Sequence, residues 1–300
     1  MTAAPTEAAA EQADHATKHL ACMEVWGGNA PIDAGVIMAG PDAWVFSKPA
    51  AGSDTGGDVH YVSSCAAGQI TRLLVADVAG HGASASATAA HLRSLMRRYI
   101  IYHDQTRLFA AVNKHFTTHT RSAKFATALV ATFDAPTNHL SLSNAGHPPP
   151  LYYSTRKKQW STIDRAAAAL ADPLSQNPSD LPLGIDDLST YNRFDLRLTT
   201  GDLILCYTDS LPESLDAAGQ PLDTPGLLRL LQSLDPAEPS ALITALLEGI
   251  SSLNPRNLTT DDTTVLLFRP NGLRPYISLR DRLIAPFRFA KGMIASYIRP

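Results

Sequence analysis

Apolar positions along the chain switch between two periods, and the switches divide it into elements. Residues 69–78 alternate and then saturate with Ile70, Leu73, Leu74, Val75 and Val78, the pattern of a strand entering a buried sheet. Upstream, the runs MEVW, GVIMA and AWVF between Cys22 and Pro49 are broken by Gly, Pro and Asp and predict two or three strands. After Gly82 the period becomes helical: an Ala-rich segment leads to Leu92, Leu95, Met96, Tyr99 and Ile100 on one face. A second helix, 108–119, turns Val112 and Phe116 inward. Residues 125–134 and 140–143 read as a strand pair joined around Pro136 and Asn138, and LYY, 194–198, 203–207 and 265–268 as further strands. Helical spacing returns at 227–234 and 241–253, with Pro236 and Pro239 between them, so these helices should cover a second sheet. Residues 155–190, rich in Ala, Asp, Ser, Asn and Pro, read as a loop-rich insertion.

Composition narrows the class. A chain of 300 residues, 45 % hydrophobic and 18 % charged, can bury a large core in one large or two small domains. Residues 1–20 have no periodic apolar face and read as a disordered leader, leaving 21–270 as the main domain. From 271 to 300, Arg274, Arg280, Arg282, Arg288, Lys291 and Arg299 interleave with Ile277, Leu283, Ile284, Phe287, Met293, Ile294 and Ile298 as a basic amphipathic helix. Such a helix suits weak contact with an anionic membrane or acidic partner, and equally docking on its own domain with its charges in water. The net charge of −3 argues against nucleic-acid binding. Cys22, Cys65 and Cys206 are odd in number and far apart, as reduced thiols are. No signal-like N-terminus and no bilayer-length apolar run are present, which predicts a cytoplasmic protein.

The candidate chemistry lies at strand ends. Asp58 stands beside Gly57 and Asp77 three residues before Gly80, joined by a predicted hairpin, Asp209 follows the end of the 203–207 strand, and Asp261 and Asp262 lie just before the 265–268 strand. Burying a carboxylate without a partner costs several kcal/mol or more, and no Arg or Lys is close to Asp77 in sequence. Gly80 and Gly82 permit close approach of a ligand to the main chain. Oxygen ligands without a Cys or His cluster favour Mg²⁺ or Mn²⁺. Any one of these aspartates alone is more commonly a turn residue. His115 and His119 are spaced i, i+4 without the intervening Glu of a zinc helix, and are assigned to the surface. His147 beside Gly146 and Pro148 is assigned to holding a turn.

Taken together and in order, the blocks GGD at Gly56, ADVAGHG at Ala76, FATALVATFD at Phe125, NAGHPPPLYY at Asn144, LPLGI at Leu181, GDLILCYTDS at Gly201 and TDDTTVLLF at Thr260 resemble the metal-dependent PPM, or type 2C, protein serine/threonine phosphatases. The match is to their bacterial branch in sigma-factor and stress signalling and covers roughly residues 55–270. The resemblance implies an α+β fold, a four-layer αββα sandwich of two antiparallel β-sheets flanked by helices. It further implies a hydrolase that removes phosphate from phosphoserine or phosphothreonine on a protein, such as an anti-sigma-factor antagonist, by water activated at two Mn²⁺ or Mg²⁺ ions. Carried over residue by residue, Asp77 would bridge the ions and the Val78 carbonyl would bind one of them. Asp58 would assist on that ion, while Asp209 and Asp261 would hold the other. Asp262 is an alternative to Asp261.

This chain departs from the family pattern in three places. Ser210 follows Asp209 where glycine is usual, and its side chain could strain the turn. Tyr61 stands where many relatives have an acid. His81, the candidate general acid to the leaving seryl oxygen, has a different offset from Asp77 than in eukaryotic members. Two rival readings follow: a phosphatase-fold binding module, favoured by Ser210 and Tyr61, and a hydrolase of small phosphoesters using the same ions.

Overall fold

Period-two alternation sorts the strand side chains between the layers of the molecule. The computed structural model describes residues 17–20, 24–50, 53–65, 68–80, 82–99, 102, 104–119, 124–163 and 180–274. In chain order these form β1 (Thr17–His19), β2 (Val25–Gly28), β3 (Ile32–Ile37), β4 (Pro41–Lys48), β5 (Val59–Cys65), β6 (Ile70–Val78), α1 (Ala83–Arg98) and α2 (Gln105–His119). There follow β7 (Ala126–Asp134), β8 (His139–Ala145), β9 (Leu151–Ser154), β10 (Gln159–Thr162), β11 (Phe194–Arg197), β12 (Leu203–Tyr207), α3 (Asp223–Gln232), α4 (Pro239–Leu253) and β13 (Thr263–Pro270).

The strands make a seven-stranded sheet, β1-β3-β4-β13-β12-β9-β10, and a six-stranded sheet, β11-β8-β7-β6-β5-β2. All neighbours are antiparallel except β1, which runs parallel to β3 at an edge. On β6, Leu73 and Val75 face the other sheet while Leu74, Ala76 and Val78 face α1 and α2. On β12, Ile204 and Cys206 point between the sheets, and Leu203, Leu205 and Tyr207 point at α3 and α4. Three apolar layers result, the four-layer αββα sandwich, with α1 on β2, β5 and β6, α2 on β8, α3 on β10 and α4 on β4 and β13. Each fully buried Leu, Val or Phe in these layers contributes about 1.5–3 kcal/mol by transfer from water.

Some boundaries differ from the sequence reading. Residues 17–19, placed in the leader, pair with β3 as β1; three largely polar residues leave no apolar signature when backbone pairing is what fixes them. Residues 1–16 lie outside the described residues, as do residues 275–300, which hold all but the start of the basic C-terminal segment, and Cys22. The 155–190 insertion contains β10, which closes a hairpin on β9 through Lys158 at φ 52. Its one apolar residue, Trp160, is buried between exposed Gln159 and Ser161, too short an alternation to stand out. Pro239 opens α4 instead of separating the helices, since the first helical position needs no N–H donor. Cys65 and Cys206 are free thiols. No helix among the described residues is long and apolar enough to cross a membrane.

Register sets the location of the site. Val59 pairs with Ala76, so Asp58 and Asp77 are neighbours at one end of β5 and β6. Tyr207 pairs with Val265, so the segments carrying Asp209 and Asp261 leave β12 and β13 at one common end. The two sheet ends meet across the sandwich.

Candidate metal centre

Asp58 is buried at the mouth of the sandwich, where Thr208 Oγ1 from the other sheet donates a 2.9 Å hydrogen bond to its Oδ2. Burial, followed by the charge on Asp77, pushes the Asp58 carboxyl well above the usual carboxylate range, although the Thr264 and Thr208 bonds pull it back. Asp77, on β6 opposite Thr127, is raised to about 7 by burial and then by Asp209, Asp261, Asp262 and Glu213. Asp209 is raised to about 6 by burial and then by Glu213 and Asp261. The carboxylates from the GGD, ADVAGHG, YTDS and TDDTT blocks therefore feel one another directly. The strongest charges acting on Asp77 are other carboxylates, an arrangement that a divalent cation would relieve.

Asp261 and Asp262 are adjacent in sequence and different in setting. Asp262 Oδ1 accepts the Ala50 N–H at 2.7 Å, and its Oδ2 accepts the Gly57 N–H at 2.5 Å and the Asp58 N–H at 3.4 Å. A Cβ on Gly56 would lie 2.5 Å from Asp262 Oδ2, which is why the GGD loop needs glycine there. Asp262 thus ties the loop carrying Asp58 to β13. Asp261 is exposed and accepts the Asp262 N–H at 2.8 Å through Oδ1 alone. The Val78 carbonyl faces the same loop: a Cβ on Gly57 would approach it to 3.0 Å. Gly80 and Gly82 adopt φ 104 and 74, as the sequence reading requires. His81 between them lies outside the described residues.

Glu213 and Thr208 were missed from sequence. Glu213 stands one turn beyond Asp209, its N–H donating to the Asp209 carbonyl at 2.9 Å, so an acid four residues after a strand-end acid was the available signal. Thr208 acts across a separation of 150 residues that no local pattern reveals. Ser210 is not among the residues with positive φ, so a side chain there imposes no left-handed strain. Tyr61 is fully buried in the layer under α1 and α2 and contributes packing there. His147 is buried, its Nδ1 2.8 Å from Thr127 Oγ1, while Asn144 closes the turn by accepting its N–H at 2.7 Å and donating to its carbonyl at 2.8 Å. His115 packs against Tyr99 at 5.4 Å between ring centroids.

Among the described residues, no group of three or more His, Cys, Asp or Glu side chains stands close enough together to hold a metal ion. The acids are electrostatic neighbours with unspent charge. Their donor set is all oxygen, and the raised carboxyls of Asp58, Asp77 and Asp209 fit a hard divalent cation.

The fold is that of a PP2C-type phosphatase domain. The stage II sporulation protein E (SpoIIE) family matches residues 67–271, more than half of the chain, and the chain belongs to that family. Among solved structures it is similar to the RsbU and RsbW domains of a Mycobacterium tuberculosis protein, with 22 % identity, 93 % of this chain and 72 % of that one covered, and a TM-score of 0.61. It is also similar to RsbX in complex with magnesium, at 14 % identity, 80 % and 100 % coverage and TM-score 0.56. A third is the PP2C phosphatase domain of SpoIIE from Bacillus subtilis with a fragment of its regulatory domain, at 15 % identity, 83 % and 64 % coverage and TM-score 0.61. At these identities the likeness carries the fold.

Proposed function

We propose that residues 21–270 form a metal-dependent protein serine/threonine phosphatase acting on a phosphoprotein of a bacterial regulatory pathway, with an anti-sigma-factor antagonist as the candidate substrate. The observation that carries this reading is the meeting of Asp58, Asp77, Asp209 and Asp261 at one end of the two sheets, with the Asp77 carboxyl raised to about 7. Asp77, Asp58 and the Val78 carbonyl would hold one Mn²⁺ or Mg²⁺ ion, and Asp77, Asp209 and Asp261 the other. When bound, such ions supply an activated water near neutral pH and neutralise phosphoryl oxygens. Asp262 holds the GGD loop in place for Asp58, and Thr208 orients the Asp58 carboxylate. His81 is the residue assigned to protonate the leaving seryl oxygen. The similarity to RsbX solved with magnesium supports the choice of cation.

The test is calorimetric Mn²⁺ titration followed by hydrolysis of a phosphoserine peptide with and without metal. Binding and Mn²⁺-dependent turnover are expected in the wild type and are lost in Asp77→Asn; wild-type turnover in that variant overturns the mechanism. Tyr61 in the core favours a second reading, a phosphatase-fold binding module, in which Mn²⁺ and phosphopeptide bind without turnover.

A further inference from the structure

The turn that follows β12 and the loop that precedes β13 enclose a cleft of about 320 Å³, walled by Ser210, Glu213, Leu215, Arg256, Leu258 and Asp261 among others. Glu213 and Asp261 both act on Asp77 and Asp209, so the cleft borders the candidate centre. The loop that forms its far wall is held firmly. Asn257 is buried, accepts the Leu215 N–H at 2.9 Å and donates to the Leu215 and Ile250 carbonyls at 2.9 Å each. The next residue, Leu258, sits at φ 58, a left-handed conformation that costs a non-glycine residue about 1 kcal/mol or more and persists only where its surroundings impose it. The backbone of Arg256 is fixed on both sides: its N–H donates to Asn254 Oδ1 at 3.0 Å and its carbonyl accepts from Thr259 Oγ1 at 2.6 Å.

On this fixed loop the Arg256 side chain is exposed and makes no ion pair among the described residues. It is the one cation among the described residues lining the cleft. A phosphorylated peptide entering here meets Glu213 and Asp261, both of its own sign. A guanidinium presents a planar fork that grips phosphate or carboxylate through paired hydrogen bonds, and at the rim of an acidic cluster it offsets the repulsion. Leu215 and Leu258 give the cleft apolar surface against which a peptide can lie.

We propose that this cleft seats the substrate beside the reacting phosphate, and that Arg256 is its specificity-determining residue, gripping an oxyanion of the substrate. That oxyanion is either the phosphoryl group or a carboxylate next to it in the peptide. The proposal rests on the phosphatase reading above.

The experiment compares wild type, Arg256→Ala and Arg256→Lys in the full chain with Mn²⁺. The substrates are p-nitrophenyl phosphate, a phosphoserine peptide with acidic neighbours, and the same peptide with those neighbours made neutral. Arg256→Ala is expected to lower kcat/KM about tenfold, chiefly through KM, with partial recovery in Arg256→Lys and an unchanged melting temperature. Loss on all three substrates assigns the phosphoryl group, and loss confined to the acidic peptide assigns the carboxylate. Unchanged kinetics on all three overturns the proposal. Fluorescence anisotropy with a non-hydrolysable phosphonate version of the acidic peptide separates the two readings. Binding that weakens about tenfold in Arg256→Ala supports the cleft even if the wild type shows no turnover, which would sink the phosphatase reading alone. Binding unaffected by Arg256→Ala sinks the cleft whatever the turnover.

Discussion

Thr208 and Asp58 lie on different sheets and are joined by a 2.9 Å hydrogen bond, and the same Thr208 oxygen accepts the Thr264 N–H at 3.0 Å. The hydroxyl donates to the carboxylate at 2.9 Å, with the Thr264 carbonyl farther off at 3.4 Å, and the GGD loop is registered against β12 and β13. Thr208→Val keeps the volume and removes the donor. We expect a stability loss of about 1–3 kcal/mol in urea, the usual consequence of leaving a buried partner unsatisfied. Mn²⁺ affinity should fall about tenfold by calorimetry, because Asp58 is no longer held in one orientation. Wild-type values for both would show that the bond orients nothing.

Asp77 makes stability and metal binding oppose one another. Its folded-state pKa of about 7 lies above the ordinary 3.8, so the folded protein binds the extra proton between those values. Without metal, the stabilising effect of that proton is present at low pH and is lost as pH rises toward 7. The shift corresponds to a few kcal/mol at most, since one unit is about 1.4 kcal/mol. At pH 8, Asp77→Asn should therefore melt higher than the metal-free wild type. Adding Mn²⁺ should stabilise the wild type and leave the variant unmoved, with phosphopeptide turnover down at least about 100-fold. Differential scanning calorimetry with and without Mn²⁺ reads both effects; equal Mn²⁺ stabilisation of the two proteins contradicts them.

Much of this arrangement is legible from the residues. Near-continuous apolar runs marked β6 and β12 because each is buried on both faces, and the strand-end aspartates stood out because a buried carboxylate needs a reason. The short elements β1, of three largely polar residues, and β10, with Trp160 as its one apolar residue, left almost no pattern. The division of labour between Asp261 and Asp262 was out of reach, because it depends on which carboxylate meets the N–H groups of Ala50 and Gly57, more than 200 positions away. The concern over Ser210 came from a family habit of glycine; here the backbone takes a conformation open to any residue.

His147 carries the opposite pH signature from Asp77. Burial depresses its pKa from 6.5 to about 3, partly offset by the Tyr207 carbonyl. Between these values the unfolded chain binds more protons, so the contribution of neutral His147 is complete above about pH 6.5 and is lost as pH falls toward 3. Asp77 masks this in the wild type, so the comparison belongs in the Asp77→Asn background. There, urea stability should fall by up to about 1.4 kcal/mol per pH unit more steeply between pH 6 and 4 than in Asp77→Asn/His147→Gln. Parallel pH profiles for the two proteins would mean that His147 is not held neutral by the fold.

Asp261 and Asp262 should separate cleanly under substitution. Asp262→Ala leaves the Ala50 and Gly57 N–H groups without their acceptor and frees the GGD loop, so stability should fall by about 2–4 kcal/mol even without metal. Asp261→Ala removes an exposed carboxylate that acts on Asp77 and Asp209 by repulsion. Metal-free stability should hold or rise slightly, while Mn²⁺ affinity falls at least about tenfold. Asp262→Ala weakens Mn²⁺ binding as well, but through loss of loop order, and raising the protein's stability with an osmolyte should recover part of it; the loss in Asp261→Ala should not recover. Paired urea melts and calorimetric titrations decide the matter: if Asp262→Ala is stable and Asp261→Ala still binds Mn²⁺ as the wild type does, the ligand is Asp262 and the loop is fixed by something other than its carboxylate.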